Sequence, residues 1–188
     1  MVNKEQYLIS PNGDVKTLLT FRKAVIIYDL TFHFAHSFLS KGDRTIDQMI
    51  QAARSGKQNI AEGSAAGVTS METAIKLTNV AKASFLELLL DYEDFLRVRN
   101  FRQWEKDSEE VRFLRKKTID QTVPDQWFVD LAKSRPAETV ANMAIVFLHQ
   151  EDYLLQNQLD GLEQKFLLQG GFREQMLSAR LKTRNKKN

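Results

Sequence analysis

The 188-residue chain is 43% hydrophobic and 27% charged, with a formal net charge of +3, proportions that fit a folded globular protein and exclude a wholly disordered one. Its length suits a single domain with a substantial core and room for an appendage. The absence of cysteine excludes disulfides, thiol catalysis and Cys-based zinc sites, and points to a reducing compartment. No stretch approaches the ~20 apolar residues of a membrane span, and residues 1–14 carry no apolar run of signal-peptide length. The expectation is therefore a soluble protein of the cytoplasm without a membrane partner. The charge is unevenly spread: residues 173–188 hold Arg173, Arg180, Lys182, Arg184, Lys186 and Lys187 against Glu174 alone. The rest of the chain is left mildly acidic, so the basic character belongs to a tail and not to the whole surface.

Ser10-Pro11-Asn12-Gly13-Asp14 is a turn cluster ahead of the first long helix. From Lys16 to about Lys41, Leu18, Phe21, Val25, Tyr28, Phe32, Ala35 and Leu39 alternate spacings of three and four, the pattern of a bundle seam. Ala24, Ile27, Phe34 and Phe38 widen it. Gly42 suits a left-handed position after the helix end, and Asp43 or Thr45 is placed to cap the next helix, with Gln48 completing a box from Thr45. That second helix, from Gln48 towards Gly67, carries few large apolar residues. Ala52, Ala53, Ser55, Gly56 and Ala61 let a neighbouring helix approach closely, and the small residues from Gly63 to Gly67 predict that it frays there. Thr69-Ser70-Met71-Glu72 opens the third helix, to about Asn100, with Met71, Ala74, Thr78, Ala81, Phe85, Leu88, Tyr92 and Phe95 as its seam. The long periodicity lapses between about 101 and 135. Ser108-Glu109-Glu110 and Pro124-Asp125 each start a short helix there, packed by Trp104, Trp127 and Phe128. Pro136 begins the fourth long helix, ending at Gly170-Gly171, and a last short helix is expected from Phe172 to Arg184. No internal repeat or strand pattern is present. The predicted fold is all-α: an antiparallel up-down-up-down four-helix bundle over 1–172, with a helical insertion between the third and fourth long helices, and a basic tail over 173–188.

Chemistry-bearing motifs are few. There is no Gly-rich phosphate loop and no nucleophile motif. His33 and His36 share an aromatic stretch of the first helix, but neither they nor His149 has a Glu three residues earlier, as a di-iron bundle site requires. No metal, cofactor or catalytic residue is therefore assigned. Asn59 and Glu62 on the second helix, with Ser84 and Glu87 on the third, are each three apart and read as a structural polar network that sets helix register. Lys41, Arg44, Arg54 and Lys57 are candidates for a phosphate-binding strip, and Arg180, Lys182, Arg184, Lys186 and Lys187 for a second basic segment in the tail.

These residues carry a family likeness. The run QMIQAARSGKQNIAEG, followed by Ala81, Ser84 and Glu87 in an Ala-x-x-Ser-x-x-Glu pattern, resembles the 23S ribosomal RNA intervening-sequence protein family. Gln48, Arg54, Asn59, Ile60, Ala61, Glu62 and Gly63 occupy its second-helix positions. KGDRTIDQMIQAARSGKQNIAEG, LLLDYEDFLRVR and RPAE-x-x-AN are more similar still to the four-helix-bundle suffix-domain proteins of bacteria, across nearly the whole chain. The resemblance implies an antiparallel four-helix bundle and a homo-oligomer, with ring-like pentamers known in the family. It also extends to the accessory variability proteins of retroelements, which bind a reverse transcriptase and nucleic acid. The functional expectation is a non-catalytic oligomeric accessory module that engages RNA or DNA, alone or beside a nucleic-acid enzyme. The alternative is a protein-interaction scaffold without nucleic-acid contact, engaging an unidentified protein through the insertion.

Overall fold

The structure, a computed structural model, describes residues 14–67, 69–171, 174, 176–178, 180 and 181. Among the described residues a short 3-10 turn at Val15–Thr17 is followed by α1 (Leu19–Phe38), α2 (Thr45–Ala66), α3 (Met71–Val98), α4 (Glu109–Ile119), α5 (Asp125–Lys133) and α6 (Ala137–Gln169). The protein is all-α, with no strand among the described residues. None of its described helices is long and apolar enough to cross a membrane. Glu174, residues 176–178, Arg180 and Leu181 are helical, within the segment expected as a last short helix; the rest of that expectation lies outside the described residues.

Local chemistry accounts for most helix ends. The Asp14 carboxylate accepts from the Lys16 amide and opens the 3-10 turn. Gly42 takes the expected positive φ of 88°, and Asp43, not Thr45, accepts from the amide that starts α2. For α3 the cap is Ser70, whose hydroxyl accepts from the Thr73 amide, one residue later than the expected Thr69–Glu72 box. Ser108 caps α4, while Pro124 and Pro136 stand just before α5 and α6, where a missing N–H costs nothing. The predicted fraying of α2 at Gly63 does not occur, since helix continues to Ala66. The reason is packing: a methyl group built on Gly63 would lie 3.3 Å from Leu77 Cβ, so α3 presses directly on this turn.

The core is shared by α1, α2, α3 and α6. Helix α1 packs on α2 and α6, and α3 packs on the same two. The eight residues expected as the α3 seam are all buried. Of the face expected on α6, Met143, Ala144, Phe147, Leu148, Leu154, Leu155, Leu159 and Leu162 are buried as well, while Phe166, near its end, is half-buried. The α1 seam is a correction. Of the predicted set only Leu18 and Ala35 are buried; Phe21, Val25, Tyr28 and Leu39 are half-buried and Phe32 is exposed. The buried face runs through Thr20, Lys23, Leu30 and Thr31 together with Ala24, Ile27 and Phe34, three of the four residues expected to widen the seam; the fourth, Phe38, is half-buried. Helix α1 is apolar on more than one side, so periodicity alone could not choose between faces. Phe34 makes edge-to-face contacts with Tyr92 and Phe95 of α3, and the buried Tyr92 hydroxyl donates to Thr31 Oγ1, which donates to the Ile27 carbonyl.

The segment from α3 to α6 is tied down and not a free linker. Asn142 of α6, 1% exposed, accepts from the Trp104 amide at 2.7 Å and donates to the Arg102 and Glu138 carbonyls at 2.9 Å. Phe128 of α5 meets Phe147 of α6 edge to face, and Trp127 meets Phe128 in the same way. Together α4, α5 and the strap before them form one wall beside α1 and α6.

Candidate nucleic-acid interface and lateral cleft

The α2–α3 contact brings together part of the expected polar network. Asn59 Nδ2 donates to the Ser55 carbonyl at 2.8 Å and to Ser55 Oγ at 3.3 Å. Ser55 Oγ is 2.9 Å from Ser84 Oγ, which also donates to the Val80 carbonyl. Asn59 and Ser84 are thus joined through Ser55, the one member that sequence spacing missed. Glu62 and Glu87 are exposed and stand outside this chain of hydrogen bonds. Their three-residue spacing from Asn59 and Ser84 sets a shared side of the helix, but α2 and α3 meet along its small residues, leaving both carboxylates on the solvent edge.

The candidate phosphate-binding residues separate into groups. Lys41 and Arg44 are exposed at the α1–α2 turn. Arg99, exposed at the end of α3 with its guanidinium 4.0 Å over the Phe95 ring, lies near the same turn. The Asp43 carboxyl there is held below the usual carboxylate range, first by hydrogen bonds from Thr45 and also by the Arg99 charge. Lys41, Arg44 and Arg99 therefore mark one basic end. Arg54 is exposed on α2, ten residues and about 15 Å of helix axis from Arg44. Lys57 does not extend a strip: its ammonium is 4.0 Å over the Tyr28 ring and its charge acts on Asp29, whose carboxyl is raised by burial. Arg180 is exposed, while Lys182, Arg184, Lys186 and Lys187 lie outside the described residues.

The histidines have local roles. His36 Nδ1 donates to the Phe32 carbonyl, and its ring stacks on Phe32 at 4.3 Å. His33 meets Ser37 and the edge of Phe38. Among the described residues no three His, Asp or Glu side chains converge as a metal site.

A second feature was not anticipated. Between α1, α6 and the α4–α5 wall lies a cleft of about 1470 Å³. At its side Lys23, 7% exposed, donates to Gln150 Oε1 at 2.7 Å. Burial brings its amine down to about 8, against the opposing pull of Glu151 and Asp125. Glu151 is fully buried in the adjoining core, both carboxyl oxygens lacking a hydrogen-bond partner among the described residues. Burial pushes this carboxyl well above the usual range, with Lys23 pulling the other way. The signal was present in the α6 pattern: Leu148, Glu151, Leu155, Gln158 and Leu162 continue a three-four alternation, so two polar residues occupy seam positions. Gln158 is likewise buried, with Oε1 unpartnered among the described residues.

Glu151 makes stability pH-dependent. A raised folded-state value means that the folded chain holds its proton at pH values where the unfolded carboxyl, near ~4.3, has lost it. Stability from this group is then full below that unfolded value and falls as pH rises above it. Glu151→Met removes the buried acid at similar volume and is expected to stabilise the protein by about 1–3 kcal/mol at pH 8. The gain should shrink towards pH 4, as read by urea unfolding at both pH values. A variant less stable than the parent at pH 8 would show that the carboxylate is favourably held.

Searches against protein families, curated proteins and solved structures return no match to this chain.

Proposed function

We propose that the protein is a non-catalytic, homo-oligomeric accessory module of bacterial origin whose basic end contacts RNA or DNA, alone or beside a nucleic-acid enzyme in the cytoplasm. Its four long helices are read as an antiparallel up-down-up-down bundle, with α4 and α5 as the insertion. The closed set of contacts among α1, α2, α3 and α6 supports that topology, as does the residue-level resemblance to the 23S ribosomal RNA intervening-sequence-type and suffix-domain proteins. The observation that carries the nucleic-acid reading is the meeting of Lys41, Arg44 and Arg99 at one end, all exposed and with Arg99 close enough to act on Asp43. A few cations bind phosphate weakly, and copies arrayed in an oligomer would sum such contacts. The same resemblance makes a pentamer the first assembly to test.

The second reading, a protein-interaction scaffold, rests on exposed apolar side chains: Leu86 and Leu90 on α3, and Phe113 and Ile119 on α4. Fluorescence anisotropy of labelled RNA and DNA across ~50–300 mM salt separates the two. Under the nucleic-acid reading, log affinity falls linearly with log salt, and Lys41→Glu with Arg44→Glu lowers affinity on the order of tenfold. Removing residues 173–188 measures the tail's share. No binding at the lowest salt would sink the nucleic-acid reading and leave the scaffold.

A further inference from the structure

The lateral cleft combines an apolar floor with a buried cation. Ile26 of α1, Val111 of α4, Phe128 of α5 and Ile145, Val146 and Leu154 of α6 line it, and all six are buried side chains. Two of the basic groups on its wall differ sharply in their commitments. Arg22 is engaged by Asp125 through two hydrogen bonds, at 2.9 and 3.0 Å. Lys23 has one hydrogen bond, to the neutral Gln150 amide oxygen, although its ammonium carries three donors; it also lies 5.4 Å from the Phe147 ring centroid and feels the charges of Glu151 and Asp125 without a direct ion pair among the described residues. Lys106, Arg115 and Lys117 stand around the same opening; with Asp120, on which Lys117 acts, and the Arg22–Asp125 pair counted, the lining still carries more cations than acids and favours an anion. Its volume exceeds the roughly 300–1,000 Å³ of common small-molecule sites, which leaves space for a long apolar body.

We propose that this cleft is a binding site for an amphipathic monocarboxylate, with the carboxylate accepting from Lys23 Nζ and the hydrocarbon body lying on the floor formed by α1, α4, α5 and α6. A monoanion matches the single buried cation, whereas a phosphate dianion would need further donors at the same depth. An apolar body suits the six aliphatic and aromatic side chains of the floor, while polar and charged residues make up much of the remaining lining. The lowered amine of Lys23 is consistent with a cation that burial has desolvated and that a carboxylate would stabilise. Trp104 also lines the cleft, whereas Trp127 does not, so one of the two tryptophans reports on its occupancy.

The test is calorimetric titration of the full chain with decanoate below its micelle threshold, compared with decanol, and repeated with Lys23→Met. Saturable binding of decanoate with a change in tryptophan emission is expected. Decanol should bind at least tenfold more weakly, and Lys23→Met should weaken decanoate binding tenfold or more while leaving decanol unchanged. Methionine keeps most of the apolar stem of lysine, one atom shorter, and removes a desolvated charge, so the variant should fold. If it does not, the decanoate–decanol comparison on the unaltered protein decides alone. Absence of saturable binding, equal binding of acid and alcohol, or a folded Lys23→Met protein that binds decanoate normally would each overturn the proposal. None of these readouts depends on nucleic acid.

Discussion

Gly56→Leu should unfold the protein more readily than its parent by about 3 kcal/mol or more, seen as a lower urea midpoint. Gly56 lies in the middle of α2 and is buried, and a methyl group built there would fall 2.5 Å from the ring of Phe85 on α3. That ring is itself 3% exposed in the core, so it cannot swing aside without displacing other packed groups. Overpacking typically costs about 1–3 kcal/mol, and leucine adds three further carbons to the clash. Gly56→Ala sets the same steric conflict against a gain of roughly 1 kcal/mol in helix propensity, so its loss should be smaller. The rank order, parent above alanine above leucine, is the expected result. A leucine variant that melts with the parent would mean that α2 and α3 are not in close contact at this point.

The second large effect is expected at Asn142. Its amide makes three hydrogen bonds, two of them to the strap at Arg102 and Trp104. Asn142→Ala removes all three and leaves the Trp104 N–H and Arg102 carbonyl without this partner. At about 0.5–1.5 kcal/mol for each hydrogen bond, the loss should be near 3 kcal/mol. It should be local in character, with a red shift of Trp104 emission and faster proteolysis between residues 101 and 108 before global unfolding. Asn142→Asp retains an acceptor for Trp104 but sets a buried carboxylate oxygen against the Arg102 and Glu138 carbonyls, so at neutral pH it should be at least as destabilised as alanine. Unchanged emission and protease resistance in Asn142→Ala would show that the strap is held by its aromatic contacts alone.

The two residues differ in how they could be read from sequence. Gly56 stands out because it interrupts helical spacing among other small residues, a pattern with a direct steric meaning. Asn142 falls within RPAE-x-x-AN and is one polar residue in an apolar run, but its partners are about forty residues away in the chain. The α3 seam was legible residue by residue because polar groups fill its other faces. On α1 the same rule set the seam too far to one side: Ala24, Ile27 and Phe34, expected only to widen it, are core, while Tyr28 is half-buried under Lys57 and Phe32 is exposed. Glu62 and Glu87 were placed on the right helices, yet the line along which α2 meets α3 excludes them from the network that Ser55 completes.

What the sequence by itself determined is the set of helices and the smallness of α2. Periodicity, capping side chains, prolines and glycines act over three or four residues and need no distant partner. Only the tertiary structure decided which face of α1 is core, that Lys57 is covered by Tyr28 while Lys41 and Arg44 stay free at one end, and that Lys23 borders a cleft beside the buried Glu151. Those outcomes depend on burial and on hydrogen-bond partners contributed from other helices. A side chain's charge, accessibility and chemistry follow from that surrounding surface as much as from its own identity.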